Sequence, residues 1–148
     1  KKNLEKITKY KPRLAHGDFF LENLIYYKRK IFVIDHQDLH YNHPCLDIAS
    51  LIFDARRQYS SKVEDRCIKE YAKKSNQTLR DITYDIHLVS LARNLRILGN
   101  WINLYRRGKP QYLKKYRKAT WTQIFKHVEY LRFWDLRELF GEVHKKTK

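Results

Sequence analysis

The chain has 148 residues, 43% hydrophobic and 14% aromatic, with only four glycines and three prolines. That is enough for one domain with its own core, and it argues against a disordered chain or a turn-rich β-sandwich. The formal charge of +16 is uneven, +4 over residues 1–60 and +12 beyond, which favours anionic partners such as phosphates, nucleic acid or a membrane surface. No run approaches the ~20 apolar residues of a membrane span. The opening Lys1-Lys2-Asn3 is polar, and the two cysteines, Cys45 and Cys67, suit a reducing compartment, so a cytoplasmic location is expected. Methionine is absent throughout, the initiator included, and the chain is expected to be part of a longer polypeptide.

In chain order, Lys1 to Tyr10 reads as a helix that ends before Pro12. Leu14 to Asn23 is dense in polar groups of catalytic type. Leu24-Ile25-Tyr26-Tyr27 and Ile31-Phe32-Val33-Ile34 are β-prone runs flanking a Lys28-Arg29-Lys30 turn, which predicts a hairpin, and a polar loop follows to Pro44. From Cys45 the pattern turns helical, with Leu46, Ile48, Ala49, Leu51, Ile52 and Phe53 apolar nearly all round, as in a buried helix. Ser60 or Ser61, with Glu64 placed for a capping box, opens a helix to about Lys74, and Asn76-Gln77-Thr78 reads as a loop. Leu88, Leu91, Leu95, Leu98, Ile102 and Tyr105 recur at steps of three and four within a helix over Asp81 to Arg107, stopped by Gly108 and Pro110. Further helices are expected over Gln111 to Leu131 and Trp134 to Val143. The fold class is therefore α+β and mostly helical, in one domain: a loop-and-hairpin region at 12–44 mounted on a helical body at 45–148.

The chemistry concentrates in His16-Gly17-Asp18-Phe19-Phe20-Leu21-Glu22-Asn23 and in Asp35 at the end of the second strand. Phosphoryl transfer needs a group that orients the attacking hydroxyl and oxygen ligands for the Mg²⁺ on the nucleotide phosphates. Asp18 suits the first task. Asn23, through its carbonyl oxygen, and Asp35, bridging metal and phosphates, suit the second. A short hairpin is able to hold both loops side by side.

His-x-Asp-x-x-x-x-Asn resembles the catalytic loop of the protein-kinase-like fold, and with Gly17 it is most similar to the aminoglycoside phosphotransferase and choline kinase family. The resemblance implies a C-terminal kinase lobe using ATP and Mg²⁺ to phosphorylate a hydroxyl of a small molecule. It places Asp35 where the Asp of Asp-Phe-Gly stands. Pro44 and Asp47-Ile48-Ala49 match the family's Pro and Asp-Leu-Ala-like step, so Asp47 is expected to buttress the catalytic loop, with His16 organising it. His36-Gln37 replaces Phe-Gly, and Glu22 sits where many members have Gly. Neither a Gly-rich loop nor a Lys-bearing strand precedes His16, so the ATP-clasping N-terminal lobe is expected to lie outside this chain, as a missing partner.

A narrower resemblance links Ile34-Asp35-His36-Gln37-Asp38, Arg93-Asn94-Leu95-Arg96-Ile97-Leu98-Gly99, Leu104-Tyr105 and Lys109-Pro110-x-Tyr112-Leu113 to bacterial kinases of the anomeric hydroxyl of N-acetylmuramate and N-acetylglucosamine. It covers residues 12 to 130 and implies an amino-sugar substrate. Asp38 reads equally as a turn carboxylate or a second metal contact. The alternative class is a non-catalytic basic module that keeps the lobe's shape. The Arg106 to Lys118 stretch, seven Lys/Arg interleaved with tyrosines, suits nucleic acid, but a solvated helix face is the more ordinary reading. His36, His40 and His43 lack the cysteine pair or His-Glu-x-x-His pattern of a zinc site. Trp101, Trp121 and Trp134 are expected to pack in the interior, with one able to stack on a sugar.

Overall fold

The structure, a computed structural model, describes residues 10–146. The helix expected over Lys1 to Tyr10 lies outside them, apart from Tyr10. Among the described residues, two small antiparallel ladders precede five α-helices. In the hairpin, β2 (Leu24–Tyr27) pairs with β3 (Lys30–Val33) in the register Leu24↔Val33 to Tyr27↔Lys30. Its connection is two residues long, because Lys28 (φ 47°) and Arg29 (φ 60°) both take the left-handed conformation that a type I′ turn requires. Lys30 is therefore the first residue of the strand and not part of the turn, and Ile34 lies just past its end.

The polar loop expected up to Pro44 contains a short 3₁₀ helix, His36–Asp38, and then a strand. β1 (Arg13–Ala15) pairs with β4 (His40–Asn42) through Arg13↔Asn42, Leu14↔Tyr41 and Ala15↔His40. His40-Tyr41-Asn42 has no apolar alternation to announce it, and its partner lies some 27 positions away, so pairing alone makes it a strand. The two ladders hold the segments that flank His16–Asn23 and Ile34–Asp38 together at one end of the molecule.

The helical body comprises α1 (Leu46–Ile52), α2 (Ser61–Ser75), α3 (Leu79–Arg106), α4 (Gln111–Tyr130) and α5 (Trp134–Lys146). α3 starts two residues earlier than the periodicity indicates. Asn76 ends α2 in the left-handed conformation, and Thr78 caps α3, accepting from Asp81 N at 3.1 Å while its hydroxyl donates to Asp81 Oδ2 at 2.7 Å. Ser60 and Glu64 do not form a capping box. Ser60 makes no side-chain cap bond, and Glu64 is buried in an ion pair with Lys126 of α4.

α3 is the spine, serving two cores. Ile82, Ile86 and Val89 pack against α1 and α2 with Cys45, Ala49, Ile52 and Phe53. Leu88, Leu91 and Leu98 pack against Trp121, Ile124 and Val128 of α4, with Leu136 and Phe140 of α5 closing the far side. Tyr105, expected on the buried stripe, is half exposed. Trp101 and Trp121 are buried, whereas Trp134 at the start of α5 is exposed.

Candidate active site

The loop after β1 hangs on the start of α1. Asp47, in the first turn of that helix, accepts from both His16 N at 2.8 Å and Gly17 N at 3.1 Å. Two consecutive N–H groups on one carboxylate fix the direction in which the chain leaves β1. Gly17 has φ 85°, and a Cβ there would lie 2.9 Å from His40 Cε1 and 3.2 Å from Asp38 O, so only glycine fits. His16 is buried, and its Nε2 donates to Ile34 O at 2.9 Å, which ties this loop to the end of β3. Its ring lies edge-on to those of Phe19 and His36.

From this anchor the chain turns through Asp18 into a short 3₁₀ helix, Leu21–Asn23. Asn23 is buried, and its Nδ2 donates to Asp18 O at 2.9 Å and reaches Asp35 Oδ2 at 3.5 Å. Ile34 N donates to Asn23 O at 3.0 Å, locking the two loops in register. Asp35 has φ 70° and ψ 52°, a left-handed conformation that Asp tolerates better than most residues. The Asn23 amide thus bridges the backbone carbonyl of Asp18 and the carboxylate of Asp35, which lie on two loops.

Both Asn23 side-chain contacts use the amide nitrogen, so its carbonyl oxygen is left for a cation. Among the described residues no group of three or more His, Cys, Asp or Glu side chains is arranged to hold a metal. A cation at Asn23 and Asp35 would take its remaining ligands from phosphates and water, as Mg²⁺ does. His40 is committed elsewhere: its Nδ1 donates to Asp38 O at 2.7 Å, and its Nε2 accepts from Asn42 at 2.9 Å. His43 Nδ1 accepts from Cys45 N, and burial holds its pKa below the usual histidine value.

Residues 2–82 match the model of the phosphotransferase enzyme family. The chain belongs to that family. It is also 32% identical over 105 residues to an N-acetylmuramate/N-acetylglucosamine kinase of Caulobacter vibrioides, an overlap that covers 66% of this chain and 29% of the relative. The chain thus spans about three tenths of the length of that curated relative.

Further features of this chain escape sequence reasoning. Asp54, buried just after α1, accepts from Arg56 Nε at 2.8 Å and Arg56 Nη2 at 2.6 Å. The Arg56 guanidinium stacks 3.9 Å from the Phe20 ring, and Arg57 pairs with Glu22 at 2.8 Å. This segment therefore grips the Asp18–Asn23 loop from below. It is held in turn by Asn94 donating to Phe53 O, Thr120 to Ala55 O and Gln123 to Arg57 O. Nothing local predicts these pairings, whose partners lie 41 to 66 positions apart. Asp38 is exposed and lines an open cleft of about 670 Å³ with Asp18, opposite Arg96 and Asn100 of α3. Arg93, one turn before Arg96, is 5% exposed, and burial pulls its pKa below the ordinary guanidinium value against the opposing pull of Asp54 and Asp18.

Proposed function

We propose that this chain carries the catalytic loop of an ATP- and Mg²⁺-dependent phosphotransferase, folded as a kinase-like C-terminal lobe, that phosphorylates a hydroxyl of an amino sugar. The observation that carries the reading is the junction at Asn23, whose amide ties the backbone of the Asp18 loop to the Asp35 carboxylate, with Asp18 lining the adjoining cleft. In this reading Asp18 accepts or orients the acceptor hydroxyl at the edge of the open cleft. Asn23 and Asp35 hold the metal, whose chemistry is to neutralise the charge on the phosphates. Asp47 and His16 position the loop, and Asp38 faces the acceptor side of the cleft. Family membership and the likeness to a kinase of N-acetylmuramate and N-acetylglucosamine support the amino sugar.

The kinase lobe expected to lie before His16 would cover the ladders. Leu14, Ile25, Tyr26, Ile31, Phe32 and Tyr41 all stand exposed there, more apolar surface than a solvent-facing sheet ordinarily carries. The competing reading, a non-catalytic basic module, draws on the +16 charge and on the exposed Lys and Arg of residues 106–118, but it gives the Asp18, Asn23 and Asp35 cluster no task.

Phosphate transfer from ATP to N-acetylglucosamine, followed by ³¹P NMR, tests the reading. Asp18→Asn is expected to lower the rate by roughly 10²- to 10⁴-fold, the usual contribution of a positioned general base, with the Tm unchanged. A variant as active as the parent would overturn the role given to Asp18.

A further inference from the structure

The segment that follows α1 is fastened on one side and reaches out on the other. Phe53 O accepts from Asn94 of α3 at 3.2 Å, Ala55 O from Thr120 of α4 at 3.0 Å and Arg57 O from Gln123 of α4 at 3.1 Å. All three donor residues are buried. Alternate carbonyls of residues 53–57 are thus tied to the helical body, while side chains of the same segment meet the Asp18–Asn23 loop.

Arg56 makes the firmest of these contacts. Asp54, 1% exposed, accepts from Arg56 N at 2.8 Å, from its Nε at 2.8 Å and from its Nη2 at 2.6 Å, so a buried carboxylate fixes the guanidinium in place. The guanidinium carbon lies 3.9 Å from the centre of the Phe20 ring, at stacking distance. Phe20 is in turn bonded through its main chain to both ends of the loop. Its N–H donates to Asp18 O at 3.1 Å, and its carbonyl accepts from Asn23 N at 3.0 Å. Arg57 also meets the loop, through Glu22, but both partners are half exposed and solvent screens the pair.

We infer that Arg56 is a positioning residue for the metal site: pinned by Asp54 and stacked on Phe20, it sets where Asn23 presents its carbonyl oxygen beside Asp35. The inference rests on the kinase reading for the cation that this oxygen would meet. Asn23 Nδ2 is engaged by Asp18 O and Asp35, so the direction of the remaining oxygen follows the backbone from Phe20 to Asn23. A Phe20 ring held from below fixes that backbone. Lysine could not do the same, because a compact ammonium cannot both meet two carboxylate oxygens and lay a flat face on a ring. Neither Arg56 nor Phe20 lines the cleft beside Asp18, so the acceptor side is not touched by this support.

The full protein that carries this chain tests the role in two ways. In the metal-free state, hydrogen exchange of the Asn23 N–H, followed by NMR, reads the loop itself. Phe20→Leu leaves the Asp54–Arg56 pair whole, and Arg56→Lys keeps a positive charge beside Asp54. Each is expected to speed that exchange roughly tenfold or more. In phosphate transfer from ATP to N-acetylglucosamine, the same variants should need roughly tenfold more Mg²⁺ for half-maximal rate, the usual effect of losing the support behind a metal ligand, with the acceptor KM at the parent value. The double variant should be no worse than either single one, because both act through one contact. Unchanged exchange at Asn23 in both variants, or Arg56→Lys indistinguishable from the parent, would overturn the role. A parent that transfers no phosphate at any Mg²⁺ concentration removes the kinase reading and the metal task with it. Transfer whose Mg²⁺ dependence neither variant alters removes the positioning role alone.

Discussion

Asp47 carries the Asp18 loop on two hydrogen bonds, one to each of two consecutive backbone N–H groups. Asp47→Ala leaves both without an acceptor, at about 1–3 kcal/mol for each buried group. A fall in Tm of several degrees is expected, on a scale of about 2–8 °C per kcal/mol for chains of this size. Asp47→Asn retains one carbonyl oxygen and should lose about half as much. An unchanged Tm in Asp47→Ala would show that the loop is held by something else. At this scale the sequence was legible wherever chemistry demands a residue type at a fixed short spacing. Asp18 and Asn23 lie five positions apart on one loop, and Asp35 follows a strand. It was not legible at Arg93 and Asp54. A buried charge is defined by what surrounds it, and those surroundings come from residues distant along the chain.

At the scale of elements, α3 and α4 meet through a buried pair of histidines. His87 Nδ1 and His127 Nδ1 lie 3.1 Å apart, packed on Phe53 and, for His87, stacked on Tyr130 at 3.8 Å. One ring must donate and the other accept, so the pair is suited to the neutral state. Burial, with Lys126 nearby, pushes His87 down to about 3. Burial, with His87 and Lys126 alongside, pushes His127 well below the usual value. Both pKa values are lower in the folded than in the unfolded chain, so the unfolded state takes up protons first as the pH drops. The stability from this pair is complete above about pH 6.5 and is lost progressively as the pH falls towards 3. Thermal unfolding across that range should show Tm falling with pH, and His127→Phe should flatten the slope. A parent Tm that holds level between pH 6.5 and 4 would contradict this. Helix periodicity revealed that α3 and α4 exist, because their apolar rows repeat locally. It did not reveal β4, whose three residues have no pattern of their own. Nor did it reveal the true partner of Glu64, because Lys126 lies two helices away.

For the whole molecule, the architecture gathers two loops at one end of a helical spine and, among the described residues, leaves apolar side chains of both ladders exposed. The basic excess lies mostly on solvated helix faces, including the Lys and Arg residues that line the approach to α4. That charge favours anionic partners over cationic ones. The α+β, mostly helical class was readable from composition and periodicity, since few glycines and prolines leave long helices as the economical way to bury this core. The arrangement of the two ladders was not, because it depends on strand pairings set by the fold and not by either strand. The central claim is that Asn23 and Asp35 hold the metal of a metal–nucleotide complex. Its most direct test is calorimetric titration of the full protein that carries this chain with ATP, with and without Mg²⁺, repeated on Asp35→Ala. The account predicts binding that requires Mg²⁺ and weakens at least roughly tenfold in the variant, the loss of one charged metal ligand being worth no less than about 1.4 kcal/mol. Binding that ignores Mg²⁺, or that Asp35→Ala leaves untouched, would contradict it.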